Sequence, residues 1–182
     1  MKVSLMKRAR ALAGVLLACG LGAASAQTGI LPGSEAPEIA GPMLRGEPLR
    51  LSELRGKVVL VDFWASYCGP CILAMPELNQ IREDLHAQGY ADTFVLFGVT
   101  MDRDAEKAEA FLARVPVDYP ILMDALSIAA HAYGVWRLPA TYLIDADGII
   151  QRIWYGFGDT FGADIRRYAL EYLAKIDDDQ DG

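Results

Sequence analysis

The chain has 182 residues, of which 53% are hydrophobic and 23% charged, with a formal net charge of −7. That length suffices for one domain with a substantial core. The acidic balance, with no basic stripe beyond the N-terminus, argues against nucleic acid as a partner.

Residues 1–26 read as a secretory signal peptide. Lys2, Lys7, Arg8 and Arg10 precede the apolar run ALAGVLLACGLGAASA, and Ala24-Ser25-Ala26 stands before Gln27 as a small-residue cleavage site. Cleavage removes those four positive charges and takes the net charge from −7 to −11, so an exported, acidic, soluble protein is expected. Two alternatives stay open. Leu16-Leu17-Ala18-Cys19 resembles a bacterial lipobox in which Cys19 is lipidated, or the run stays uncleaved as an anchor, although about 16 apolar residues are short for a span. In either of the first two cases the mature fold keeps only Cys68 and Cys71. One close pair is not a disulfide framework; it reads as a working pair.

Residues 27–37 are rich in Gly, Pro and small polar residues and are expected to form a linker. Gly and Pro turns then predict a short hairpin over Glu38–Leu51, with Ser52 capping a turn of helix. After Lys57, the run VVLVDFWA predicts a central strand covered on both faces. Pro70 suits a helix start, and a helix is expected from Cys71 to about His86, ending near Gly89, with Leu73, Leu78, Ile81 and Leu85 on its apolar face and a kink at Pro76. FVLFGVTM (94–101) predicts a second buried strand, and Asp104 caps an amphipathic helix to about Arg114. VDYPILMD predicts a short strand and ALSIAAHAYGV a short helix ending at Gly134. TYLIDADGIIQRIWYG predicts two strands turning at Asp147-Gly148. A last helix over about Phe161–Ile176 leaves residues 177–182, DDDQDG, as an acidic disordered tail. The domain is therefore placed at residues 38–176, as an α/β sheet covered on both faces and closed by antiparallel strands. A dithiol motif at the first strand-to-helix junction fits the thioredoxin fold.

The motif is WASYCGPC, residues 64–71. A thiolate attacks disulfides, and a helix N-terminus favours the thiolate through its unpaired N–H groups and dipole. Cys68 at that terminus is expected to be the nucleophile and Cys71, one turn inward, the resolving thiol. A static disulfide and half of a zinc site are the alternatives. Zinc asks for four ligands, and the only histidines, His86 and His131, lie far apart, so no metal is expected. Asp62 interrupts the apolar strand. Exposed at an edge it would be an ordinary carboxylate; buried, it would hold its proton toward neutrality and make a proton acceptor.

VDFWASYCGPC resembles the active-site segment of thioredoxins. LPGSEAPEI, LSELRGKVVLVDFWA, the Met-Pro early in the helix, FGVTMD and YGVWRLPATYLIDADGII are similar to the TlpA/ResA-like, AhpC/TSA-related exported oxidoreductases over residues 31–176. The resemblance implies a thioredoxin fold with an N-terminal β-hairpin extension and a central mixed sheet. It puts Pro139 at the family's cis-proline beside the dithiol, Leu138 where the backbone pairs with a bound chain, and Asp62 at the buried acid of thioredoxins, whose implied role is to take the proton of Cys71, through water, as that thiol attacks the mixed disulfide. Trp64, Tyr67, Gly69 and Pro70 join them as candidate substrate contacts. Core packing remains the alternative for Trp64 and the stronger expectation for Trp136. The chain departs from the pattern at Ala74, where many ResA-like proteins carry glutamate, at Asp62, where they often carry asparagine, and at Tyr67, which replaces tryptophan.

The function so implied is reduction of disulfides in periplasmic client proteins, as in cytochrome c maturation, with recharging by a membrane electron donor of the DsbD/CcdA type. A monomer without cofactor is expected. Gly-Pro between the cysteines matches reducing thioredoxins. Two other functions are compatible with a cysteine pair on such a fold. Peroxiredoxin-type thiol peroxidases share the fold, but their Pro-x-x-x-Thr lead is absent before Cys68. Copper-binding modules use CxxxC with a histidine, and neither spacing is present.

Overall fold

The structure is a computed structural model that describes residues 30–180. The segment read as a signal peptide, Cys19 within it, residues 27–29 and the last two residues lie outside the described residues. Six strands follow one another as β1 (Met43–Arg45), β2 (Val58–Trp64), β3 (Phe94–Thr100), β4 (Ile121–Met123), β5 (Ala140–Ile144) and β6 (Ile150–Tyr155). The helices are α1 (Cys71–Leu85), α2 (Ala105–Leu112), α3 (Ile128–Ala132) and α4 (Phe161–Gln180).

The strands form one mixed sheet in the order β1-β4-β3-β2-β5-β6. β2 runs parallel to β3 and antiparallel to β5, so it lies at the centre, and every one of its residues is buried. Alternation along β2 divides the core. Val58, Leu60 and Trp64 face a cluster built from α1, α2 and α4, while Val59, Val61 and Phe63 face one built from α3 and the N-terminal turns. The continuous apolar run is what a doubly covered strand requires, because neither face meets water.

On α1 the buried residues are Cys71, Ala74, Met75, Leu78, Ile81 and Leu85, a spacing of three and four that keeps them on one face. Leu73, expected there, is exposed: two residues from Cys71 it points about 200° away around the helix. The helix continues through a π turn, His86–Tyr90, in which Gly89 takes the left-handed φ of 103° that ends it. Asp104 Oδ1 accepts a 3.0 Å bond from the Glu106 amide, the N-cap of α2 expected from the sequence. α2 ends at Leu112, two residues short of expectation.

The N-terminal region differs from the sequence-based expectation in three ways. The hairpin over Glu38–Leu51 is present only as one antiparallel bridge, Ala40↔Arg50, and β1 pairs with β4 instead. Ser52 does not cap; it sits inside a 3-10 turn, Leu51–Leu54, and its amide donates to Glu38 Oε1 at 3.4 Å. The stretch read as a linker is pinned to the β5–β6 turn: Gly33 N donates to Ile150 O at 2.7 Å and Ala36 N to Gly148 O at 2.9 Å. At the other end, α4 continues past Ile176 through Gln180, since Asp and Gln do not stop a helix already packed by Ile165, Ala169 and Leu173.

Candidate active site

The segment between β2 and α1 carries the dithiol. Asp102, just beyond β3, holds it: Asp102 Oδ2 accepts from the Ser66 amide and Oδ1 from the Ser66 hydroxyl, both at 2.7 Å. The Cys68 amide then closes a turn onto Ala65 O at 3.0 Å. Pro70 is the N-cap of α1 and Cys71 its first residue, so the positive end of the helix dipole lies at the cysteine pair, while the Ile72, Leu73 and Ala74 amides donate back to the Gly69 and Pro70 carbonyls. Cys68 and Cys71 are joined as a disulfide with Cα atoms 5.4 Å apart.

The two sulfurs differ in access. Cys68 retains 6% exposure and Cys71 none, which assigns them as the outer and inner members of the pair. Cys68 opens into a groove with Tyr67, Gly69 and Pro70 on one side and Met101, Val135, Trp136, Arg137 and Leu138 on the other. The peptide bond Leu138–Pro139 is cis, as the resemblance implies, and it leads into β5, whose first residue Ala140 pairs with Phe63 of β2. Tyr67 and Trp136 are each 72% exposed, giving the groove an apolar, aromatic rim.

The two tryptophans exchange the places expected for them. Trp64 is fully buried at 0% exposure and packs on Phe111 at 5.1 Å between ring centroids, so it cannot contact a docked chain. It ends a central strand, and its ring follows that strand's alternation into the core. Trp136 lies in the loop before the cis-proline and faces solvent. Met101, Val135 and Arg137 also line the groove and were not singled out from sequence; only their positions after β3 and before the cis-proline could have drawn attention to them.

Asp62 is completely buried in β2, between Gly98 of β3 and Thr141 of β5 in the hydrogen-bonded register. By alternation it shares the face of Leu60 and Trp64, the face on which Cys68, Cys71 and Ala74 are packed. Burial penalises its charged form and pushes its pKa from 3.8 up to about 7; the Thr141 hydroxyl, donating to Oδ1 at 2.9 Å, partly opposes that rise. Ala74, where relatives with an acid on the helix would place it, is buried and apolar. The carboxyl buried on the dithiol's face of β2 is thus poised to exchange a proton near neutral pH. Among the described residues no group of three or more His, Cys, Asp or Glu is placed to hold a metal ion.

Comparison with known proteins gives the same picture. A model of the AhpC/TSA family matches residues 32–153. The chain is 36% identical over 134 residues to the thioredoxin-like protein YneN of Bacillus subtilis, covering 71% of this chain and 75% of that protein. It is 33% identical over 130 residues to the thiol-disulfide oxidoreductase ResA of Geobacillus thermodenitrificans, covering 71% and 72%. A crystal structure described as a thiol:disulfide interchange protein DsbE from Chlorobium tepidum superposes with a TM-score of 0.72 at 31% identity, covering 79% of this chain and 99% of that one. A solution structure described as a protein disulfide isomerase from Bacteroides thetaiotaomicron reaches 0.71 at 27% identity, covering 80% and 91%.

Proposed function

We propose, starting from the fact that this chain belongs to the AhpC/TSA family and is a thiol-disulfide oxidoreductase of the ResA/DsbE type, that it works as a reductant of disulfides in exported client proteins. The observation that carries this reading is the arrangement of the pair: an outer sulfur in an apolar groove, an inner sulfur sealed off, and a carboxyl titrating near 7 beneath them.

In the reduced enzyme the Cys68 thiolate, favoured by the α1 N-terminus, attacks one sulfur of the client disulfide and releases the other as a thiolate, which takes up a proton. The client is held meanwhile by the groove, with the Leu138 backbone pairing with its chain beside cis-Pro139 and Tyr67, Gly69 and Pro70 forming the opposite wall. Cys71 then attacks Cys68 Sγ. Its proton passes to Asp62, the second client thiol leaves, and the enzyme is left with the Cys68–Cys71 disulfide. Two electrons have moved to the client, and two must return from a dithiol donor; a membrane carrier of the DsbD/CcdA type supplies them in this reading. The leader read from the sequence supports a periplasmic location for this cycle, and proteins with oxidised haem-binding cysteines are the client class that the resemblance favours.

Reduction potential tests the direction. A value near thioredoxin's, about −270 mV, supports a reductant, and one near about −120 mV makes the protein an oxidant. Trapping with Cys71→Ser, which stalls the mixed disulfide, then identifies the client. Rapid consumption of hydrogen peroxide that disappears in Cys68→Ser would replace this function by that of a peroxidase.

A further inference from the structure

Three buried side-chain polar atoms have no hydrogen-bond partner among the described residues: Asp62 Oδ2, Trp64 Nε1 and Tyr119 Oη. Buried polar groups are nearly always paired, so three orphans in one place point to a shared interaction. They do lie in one place. Gly98 is the register partner of Asp62, and a Cβ built on it would stand 3.0 Å from Trp64 Nε1 and 3.2 Å from Tyr119 Cε2. The missing side chain of Gly98 is what lets the indole and the phenol close over the strand beside the carboxyl.

We propose that Tyr119 is a positioning residue for Asp62: its hydroxyl donates through one bound water, shared with Trp64 Nε1, to Asp62 Oδ2, and so sets the pH at which Asp62 accepts the proton of Cys71. Three polar partners are what a buried water requires. The donor sense is fixed by charge. Burial, reinforced by the neighbouring Asp62 carboxylate, holds the Tyr119 hydroxyl protonated well beyond its ordinary range, so it can give a hydrogen bond and cannot compete for the charge. Oδ1 already has Thr141; the bridge supplies the other oxygen. The titratable groups facing Asp62 are Tyr119, from the segment before β4, and the cysteine pair at the head of α1. Asp102, at the end of β3, is committed to Ser66 and Thr100, and what α1, α2 and α4 otherwise present on this face is the apolar core. Tyr119 is the neighbour able to hold the ionised form from the side opposite Thr141.

The inference rests on Asp62 being the proton acceptor, and its test separates the two ideas. The carboxyl of Asp62 is titrated in the reduced, full-length protein by isotope-labelled carboxyl NMR, with Asp62→Asn assigning the signal, alongside the pH dependence of mixed-disulfide resolution. Tyr119→Phe removes one of the two donors that hold the bridging water on the carboxylate, so both midpoints should move up, by about half a pH unit or more. Incorporating 3-fluorotyrosine at position 119 keeps the hydroxyl but makes it a stronger donor, and should move both midpoints down; this arm still reads if the phenylalanine variant folds poorly. Midpoints unmoved by either change, with the titration still lost in Asp62→Asn, overturn the role of Tyr119 and leave Asp62 in place. A resolution profile that is the same in Asp62→Asn as in the parent overturns both.

Discussion

Replacing Asp62 by asparagine should stabilise the protein, and by an amount that depends on pH. In the folded state Asp62 keeps its proton up to about pH 7, while the unfolded chain gives it up near 3.8. Between those values the folded state binds one more proton than the unfolded state, so stability falls as pH rises through this window and levels off above it. Each pH unit is worth about 1.4 kcal/mol, so the roughly three units of the window cost the parent protein about 4 kcal/mol at alkaline pH and nothing below pH 3.8. Asparagine carries no charge at any pH and retains an oxygen to accept from Thr141. Guanidinium unfolding of the oxidised parent and Asp62→Asn proteins, compared from about pH 4 to pH 9, gives the difference directly. That difference should grow by about 4 kcal/mol from the acid to the alkaline end, whatever constant offset the amide introduces. An equal difference at all pH values would mean that Asp62 does not titrate in this window, and the proton-acceptor argument would fall with it.

Trp136→Ala should leave stability within about 0.5 kcal/mol, because the ring is exposed on the groove rim and meets Tyr155 with centroids 5.0 Å apart. Its turnover of a protein disulfide should drop by about tenfold, as for an interface tryptophan, while reduction of a small aromatic disulfide is unchanged. An equal loss on both substrates refutes the groove as a client-binding surface. Gly98→Ala should destabilise by about 1–3 kcal/mol in thermal unfolding, since its Cβ would meet Ile121 Cδ1 at 2.7 Å and press on the Trp64 indole. A melting temperature equal to the parent's would show that this contact yields freely.

The parts of the fold that could be read from the sequence are those whose signal is local and continuous. β2 and β3 announce themselves as unbroken apolar runs, and Asp62 stands out because a charge there has no solvent face to occupy. The start of α1 is written by Pro70 and the cysteines, and the cis-proline by the resemblance of RLPATYLID. What could not be read depends on remote partners. β1 is three residues long, too short for periodicity, and its neighbour in the sheet, β4, comes three strands later in the chain. Trp64 and Trp136 look alike as residues flanking a motif; only the pleat of β2 sends one inward, and only the loop before Pro139 leaves the other outside. Tyr119 sits in a segment with no motif and reaches Asp62 through the register of β3, which no linear pattern reports.

The unequal exposure of the two sulfurs also fixes how traffic through the enzyme is organised. Since only Cys68 reaches the surface, and at a single groove, whatever empties the enzyme of electrons and whatever refills it must call at the same doorway. They cannot do so at once. The molecule is therefore a shuttle rather than a bridge: donor and client compete for one berth, neither needs to meet the other, and an excess of either slows the cycle by blocking its counterpart's turn.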